Sequence, residues 1–176
     1  MKIKAAKKFL PSSPYEPIAI HELIQKIREL LFSNLILTNR EAEIESRLIL
    51  EHTLNVSHQY LITHHSQLIP LNKFKRIMQF VSDRMSNKPL AYIFNEWKFY
   101  DIELHINENV LIPRQDTELL IDLIIKQYDE KEKINILDLG TGSGAIGISL
   151  GKIFKNANIL LSDISLDALK VAKKNI

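Results

Sequence analysis

"ILDLGTGSGAIGISLG", residues 136–151, holds every glycine of the chain: Gly140, Gly142, Gly144, Gly147 and Gly151. The rest of the 176 residues use none. A short apolar run, Ile134–Leu139, leads into the glycines and reads as a buried strand. Ala145–Phe154 leads out and reads as a helix. Glycine permits positive φ and leaves no Cβ in the way of a close ligand. At a strand-to-helix turn this sets backbone N–H groups and a helix N-terminus against a bound molecule. Ile159–Ser162 reads as a second buried strand, and Ser165 as the cap of a last helix running to Ile176. Strand, glycine loop, helix, strand, helix opens a parallel α/β sheet.

The glycine spacing admits two readings. Gly140, Gly142 and Gly144 spell G-x-G-x-G, whereas Gly142, Gly144 and Gly147 spell the G-x-G-x-x-G dinucleotide fingerprint. A P-loop is excluded, because no Gly-Lys-Ser/Thr follows. Gly140 directly follows the strand and belongs to the tight turn. Gly147 falls one turn inside the helix, where it serves close helix–strand packing. Asp163 ends the next strand, 23 residues after Gly140. Its carboxylate is expected beside the loop, able to accept hydrogen bonds from both hydroxyls of a ribose; capping the next helix is the plainer role. Asp138 sits in an apolar strand, where a carboxylate is costly unless bonded. It either braces the loop by accepting its N–H groups or approaches a ligand's charged end.

Upstream, residues 20–86 read as a small antiparallel helix bundle. Ile20, Leu23, Ile24, Ile27, Leu30 and Leu31 fit one helix face. Thr38 and Glu41 form a capping box before a helix whose core stripe is Ile44, Leu48 and Ile49. Ser57 caps a short helix through Tyr60 and Leu61. Phe74, Ile77, Met78, Val81 and Met85 mark a fourth. Residues 1–19 read as a disordered tail, with four lysines in the first eight positions and Pro11, Pro14 and Pro17 resisting helix. Residues 87–112 read as a linker with a β-hairpin, since Phe99 through Ile106 partly alternates. After the turn at Pro113 a helix is expected to be capped near Asp116 and to run to about Tyr128.

Composition sets bounds. With 45% hydrophobic and 25% charged residues the chain is ordinary globular protein. It has no apolar run long enough to cross a bilayer. Cysteine is absent, so there are no disulfides and no thiolate chemistry. A net charge of +2, with signs interspersed, gives no electrostatic case for nucleic acid. None of the six histidines has metal-ligand spacing backed by acids, so no metal site is expected. His64-His65 reads as a polar helix end and Trp97 as a packing residue.

"ILDLGTGSGAIGISL" followed by "LLSDIS" resembles the cofactor-binding segment of S-adenosylmethionine-dependent methyltransferases with a Rossmann-like sheet. "PLAYIFNEWKFYDIELHINENVLIPRQDTELLID" resembles a narrower group, the HemK/PrmC family of release factor glutamine methyltransferases. "EIESRLILEHTLNVSHQYLITH" is similar to that family's helical N-terminal domain. The match runs from about Ile20 to Ile176. Asn55 and Asn95 stand where the family usually has glycine, and Gln115-Asp116 where it has Pro-Glu.

The resemblance implies an α/β architecture: a helical domain over 20–86 that helps to hold a peptide chain release factor, and over 113–176 the first part of the methyltransferase domain. It implies S-adenosylmethionine as cofactor, bound by Gly140, Thr141, Gly142, Ser143, Gly144 and Asp163, with Asp138 beside them. Arg114 and Thr117 would line the neighbouring wall. It implies methylation of a glutamine side-chain amide in the cytoplasm. The family's Asn-Pro-Pro-Tyr motif, which binds the substrate amide, does not occur in these residues. The chain by itself is therefore expected to be inactive, with no catalytic residue of its own. Two other readings stand beside this one: a nucleic-acid amino-group methyltransferase, and a non-catalytic remnant or binding module.

Overall fold

In the computed structural model residues 16–176 are described, and the expected tail lies largely outside them. The chain divides into two compact units, one ending at Ile93 and the other running from Phe94 to Ile176.

The first unit is helical. It contains α1 (Ile20–Asn34), α2 (Asn39–Leu54), α3 (His58–Thr63), α4 (Leu71–Met85) and the start of α5 (Leu90–Phe94). Each start has a local cause. Thr38 and Glu41 complete a capping box on α2, and the two Thr38 hydrogen bonds hold the Glu41 carboxyl below its ordinary pKa. The Ser57 side chain accepts from Tyr60 N at the start of α3. Asn55 closes α2 in the left-handed region at φ 58°, so asparagine fills a turn that glycine would otherwise take.

The core of this unit is Leu23, Ile27, Leu31, Ile49, Leu50, Ile77 and Val81, all nearly inaccessible. On α2 the stripe differs from the expected one. Ile44 and Leu48 are exposed, and the inner face is Ala42, Ser46, Ile49, Leu50 and Thr53. Small residues at 42 and 46 let a neighbouring helix approach closely, and that rotates the longer aliphatics outward. The Ser46 and Thr53 hydroxyls donate to carbonyls of their own helix, so these two hydroxyls are satisfied. Phe80, which the α4 stripe omitted, is also buried, with Arg76 over its ring. Glu45 and Arg84 form a bidentate pair joining α2 to α4.

The second unit opens with an antiparallel hairpin, β1 (Glu96–Phe99) and β2 (Ile102–His105). Asn95 precedes it at φ 58°, again a left-handed asparagine. A 3-10 turn, Gln115–Thr117, leads into α6 (Glu118–Gln127). The expected Asp116 cap is not there: no side chain caps α6, and Asp116 lies within the 3-10 turn that feeds it. Then come β3 (Asn135–Leu139), α7 (Ala145–Ile153), β4 (Asn158–Ser162) and α8 (Leu166–Asn175). Strands β3 and β4 pair in parallel, with Ile136 opposite Ile159 and Asp138 opposite Leu161.

The two strands are not buried, contrary to the reading of their apolar runs. Helix α7 covers the face that carries Asp138, Ile159 and Leu161, where Gly147 and Gly151 let it settle. The opposite face is open, with Leu137 55%, Leu139 73% and Leu160 65% exposed. An apolar run reports that a strand wants two covered faces; it does not supply the second cover.

Candidate cofactor site

Strand β3 delivers the chain to Gly140, and α7 begins at Ala145. Between them Gly140, Gly142 and Gly144 have φ of 70°, 55° and 83°. All three occupy the left-handed region that side chains avoid. Gly147 is helical, and a Cβ there would collide with the Leu161 side chain and press on Asp138. The working pattern is therefore G-x-G-x-G, with Gly147 as a packing residue. A Cβ on Gly140 or Gly142 would meet nothing within 4 Å, so beside these two residues the backbone faces open space.

The loop is held from within. Gly140 N and Thr141 N both donate to Ser162 O, at 2.8 and 2.9 Å. Gly144 N donates to Thr141 O at 2.9 Å. Asp138 Oδ2 accepts from the Thr141 hydroxyl at 2.7 Å and from Gly147 N at 3.0 Å. That carboxylate thus stands at the N-terminus of α7, where the helix dipole favours a negative charge. Of the two roles open to it, the geometry is that of a brace.

Asp163 leaves β4 beside the loop. Its Oδ2 accepts from Gly142 N at 2.8 Å and its Oδ1 from Ser165 N at 2.9 Å. The Ser165 and Gly142 N–H groups hold this carboxyl below the ordinary aspartate range. The Ser165 hydroxyl in turn caps α8 by accepting from Ala168 N. Ile164 N also acts on the carboxylate, whose remaining lone-pair capacity is open to an outside donor.

This arrangement selects among ligands. Four loop N–H groups are committed to protein acceptors, and two carboxylates stand at the loop. A pyrophosphate would find few donors and much negative charge here. A nucleoside that offers hydroxyl donors and carries positive charge suits the site better.

Arg114 and Thr117 are not joined to this cluster by a hydrogen bond among the described residues. Arg114 instead lines an open groove of about 640 Å3 with Trp97, Leu111, Ile112, Pro113 and Gln115. Trp97 donates from Nε1 to Pro113 O at 3.0 Å, so the indole anchors the groove's loop. Among the described residues no group of three or more His, Cys, Asp or Glu could hold a metal. His64 ends α3 with its ring stacked on Tyr60 at 3.9 Å. No described helix is long and apolar enough to cross a membrane.

Both units match known families. Residues 22–94 match the PrmC N-terminal domain, and residues 115–176 the methyltransferase small domain. The first match supports the resemblance to the HemK/PrmC family, and the second supports a methyltransferase. A release factor glutamine methyltransferase of Leptospira interrogans is 38% identical over 160 residues, covering 90% of this chain and 55% of the relative. One of Clostridium acetobutylicum is 35% identical over 139 residues, covering 78% of this chain and 49% of the relative. A bifunctional methyltransferase of Rickettsia bellii is 35% identical over 159 residues, covering 76% of this chain and 29% of the relative. The chain thus spans about half the length of the release factor methyltransferases it matches.

Two residues of this unit carried no sequence signal. Tyr100 stands at φ 51° in the hairpin turn, its N–H donating to Glu118 and its hydroxyl to Asp122. Burial and the Asp122 bond push its phenol above the ordinary tyrosine range. Asn175 reaches the glycine loop from the end of α8. The partners of both lie too far along the chain for any local pattern to name them.

Proposed function

We propose that this chain belongs to a cytoplasmic S-adenosylmethionine-dependent methyltransferase that methylates a glutamine side-chain amide in a peptide chain release factor. The observation that carries the reading is the glycine loop with Asp163 at its lip, built for a nucleoside rather than a phosphate. In this reading Gly140, Thr141, Gly142, Ser143 and Gly144 hold the cofactor, and Asp163 takes the ribose hydroxyls. Asp138 braces the loop, and Arg114 and Thr117 line the adjoining wall. The chemistry is displacement at a sulfonium methyl, where holding the amide in line does most of the work.

The helical segment 20–86 helps to hold the release factor, and 113–176 is the partial methyltransferase domain, joined by 87–112. The names of the relatives and the two domain matches support the substrate class. The test joins this chain to the remaining part of the Leptospira relative and supplies labelled cofactor with release factor, DNA and RNA. Label on a release factor glutamine alone is expected; label on nucleic acid alone would overturn the substrate assignment.

A further inference from the structure

The side-chain amide of Asn175 makes three hydrogen bonds to two distant segments. Its Oδ1 accepts from His105 N at 2.8 Å, and its Nδ2 donates to His105 O at 3.0 Å. The same Nδ2 donates its second hydrogen to Ser143 O at 2.9 Å. His105 is the last residue of β2 and pairs with Glu96, while Ile106 N turns back to Asn95 O. Both backbone groups of His105 therefore point off the free side of the hairpin. Asn175 meets them as a neighbouring strand's peptide would. Among side chains only an amide offers one acceptor and two donor hydrogens in this fork.

The third bond reaches the loop. Ser143 is almost fully buried, and its carbonyl belongs to the peptide that enters Gly144. At the other end of that peptide, Gly144 N donates to Thr141 O. The peptide plane is thus held at both ends, immediately before the left-handed Gly144 and the start of α7. Without the Nδ2 donor, the Ser143 carbonyl of this buried residue would lose its partner, and the Gly144 N–Thr141 O bond alone would hold that peptide plane.

We propose that Asn175 is a positioning residue for the glycine loop: it fixes the Ser143–Gly144 peptide against the hairpin edge and so sets the turn in which the cofactor lies. The proposal rests on the cofactor reading given above. Its own content, the fixing of one peptide plane, is separately measurable.

The experiment uses the 176-residue chain and its Asn175→Asp variant, with S-adenosylhomocysteine as the probe. Aspartate keeps the acceptor for His105 N and loses both donors. The expected result is a shifted Ser143 carbonyl carbon resonance and shifted amides over residues 140–145, with slow His105 amide exchange retained. Calorimetry should show affinity reduced roughly three- to tenfold, the worth of one lost hydrogen bond. If circular dichroism shows the aspartate variant unfolded, the loop resonances are read in Asn175→Ala. Unmoved loop resonances in a folded variant would overturn the proposal, as would unchanged affinity. If the unaltered chain does not bind the probe, the cofactor reading fails, and the Ser143 carbonyl and loop amides alone decide the positioning role.

Discussion

The helical unit closes its core, whereas the α/β unit leaves one face of its sheet bare. In the first, Ile27, Leu31, Ile49 and Ile77 have no measurable exposure. In the second, Leu137, Leu139 and Leu160 stand at 55%, 73% and 65%. The contrast shows where each unit draws its stability. The helices bury a stripe against one another over short connections. The two strands bury one face under α7 and depend on the capped, hydrogen-bonded glycine loop for order.

The sharpest test of this contrast is a pair of truncations. Leu31→Ala should cost about 2–5 kcal/mol, because a well-packed site cannot collapse around the cavity. Leu160→Ala should lie within about 0.5 kcal/mol of the parent, because its side chain touches mostly solvent. Urea unfolding followed by circular dichroism measures both. Equal losses would show that the sheet face is covered in solution.

Next in size is a comparison within the glycine run. Gly147→Ala should cost about 1–3 kcal/mol, since its Cβ must displace Leu161 and crowd Asp138. Gly142→Ala meets open space and should cost about 1 kcal/mol, from the left-handed φ alone. A reversed order would return Gly147 to a ligand-facing role.

Much of this was readable in the sequence, for identifiable reasons. Thr38, Ser57 and Ser165 sit three residues before the N–H groups they cap, so local spacing announced them. The loop's glycines and the position of Asp163 followed from strand ends. The α2 core face was misread, because period alone ranks Ile44 and Leu48 above Ala42 and Ser46. The open sheet face was misread because burial depends on what covers a strand. Asn175 and Tyr100 were invisible, as their partners are remote.

Smaller effects separate the two units' caps. Thr38→Ala should cost about 1 kcal/mol and leave the second unit's glycine-loop resonances unchanged. Acid should act on both units. The folded-state pKa of Glu41 and Asp163 lies below the ordinary carboxylate value, so their contribution is present above that value. It is lost as pH falls through it toward the folded pKa. The amides of Thr38 and Gly142, which donate to these two carboxylates, should shift with midpoints below ordinary carboxylates. Ordinary midpoints would mean that the bonds do not persist in solution.

In the proposed function the glycine loop with Asp163 at its lip receives an adenosyl cofactor by its ribose. This is tested most directly by titrating S-adenosylhomocysteine and its 2′,3′-dideoxy analogue into the unaltered chain and into Asp163→Ala. The unaltered chain should prefer the diol by about ten- to a hundredfold, from charge-assisted bonds to the carboxylate, and the variant should lose most of this preference. A preference that survives intact in a folded Asp163→Ala chain would contradict it, leaving Asp163 as a brace for Gly142 and Ser165 alone.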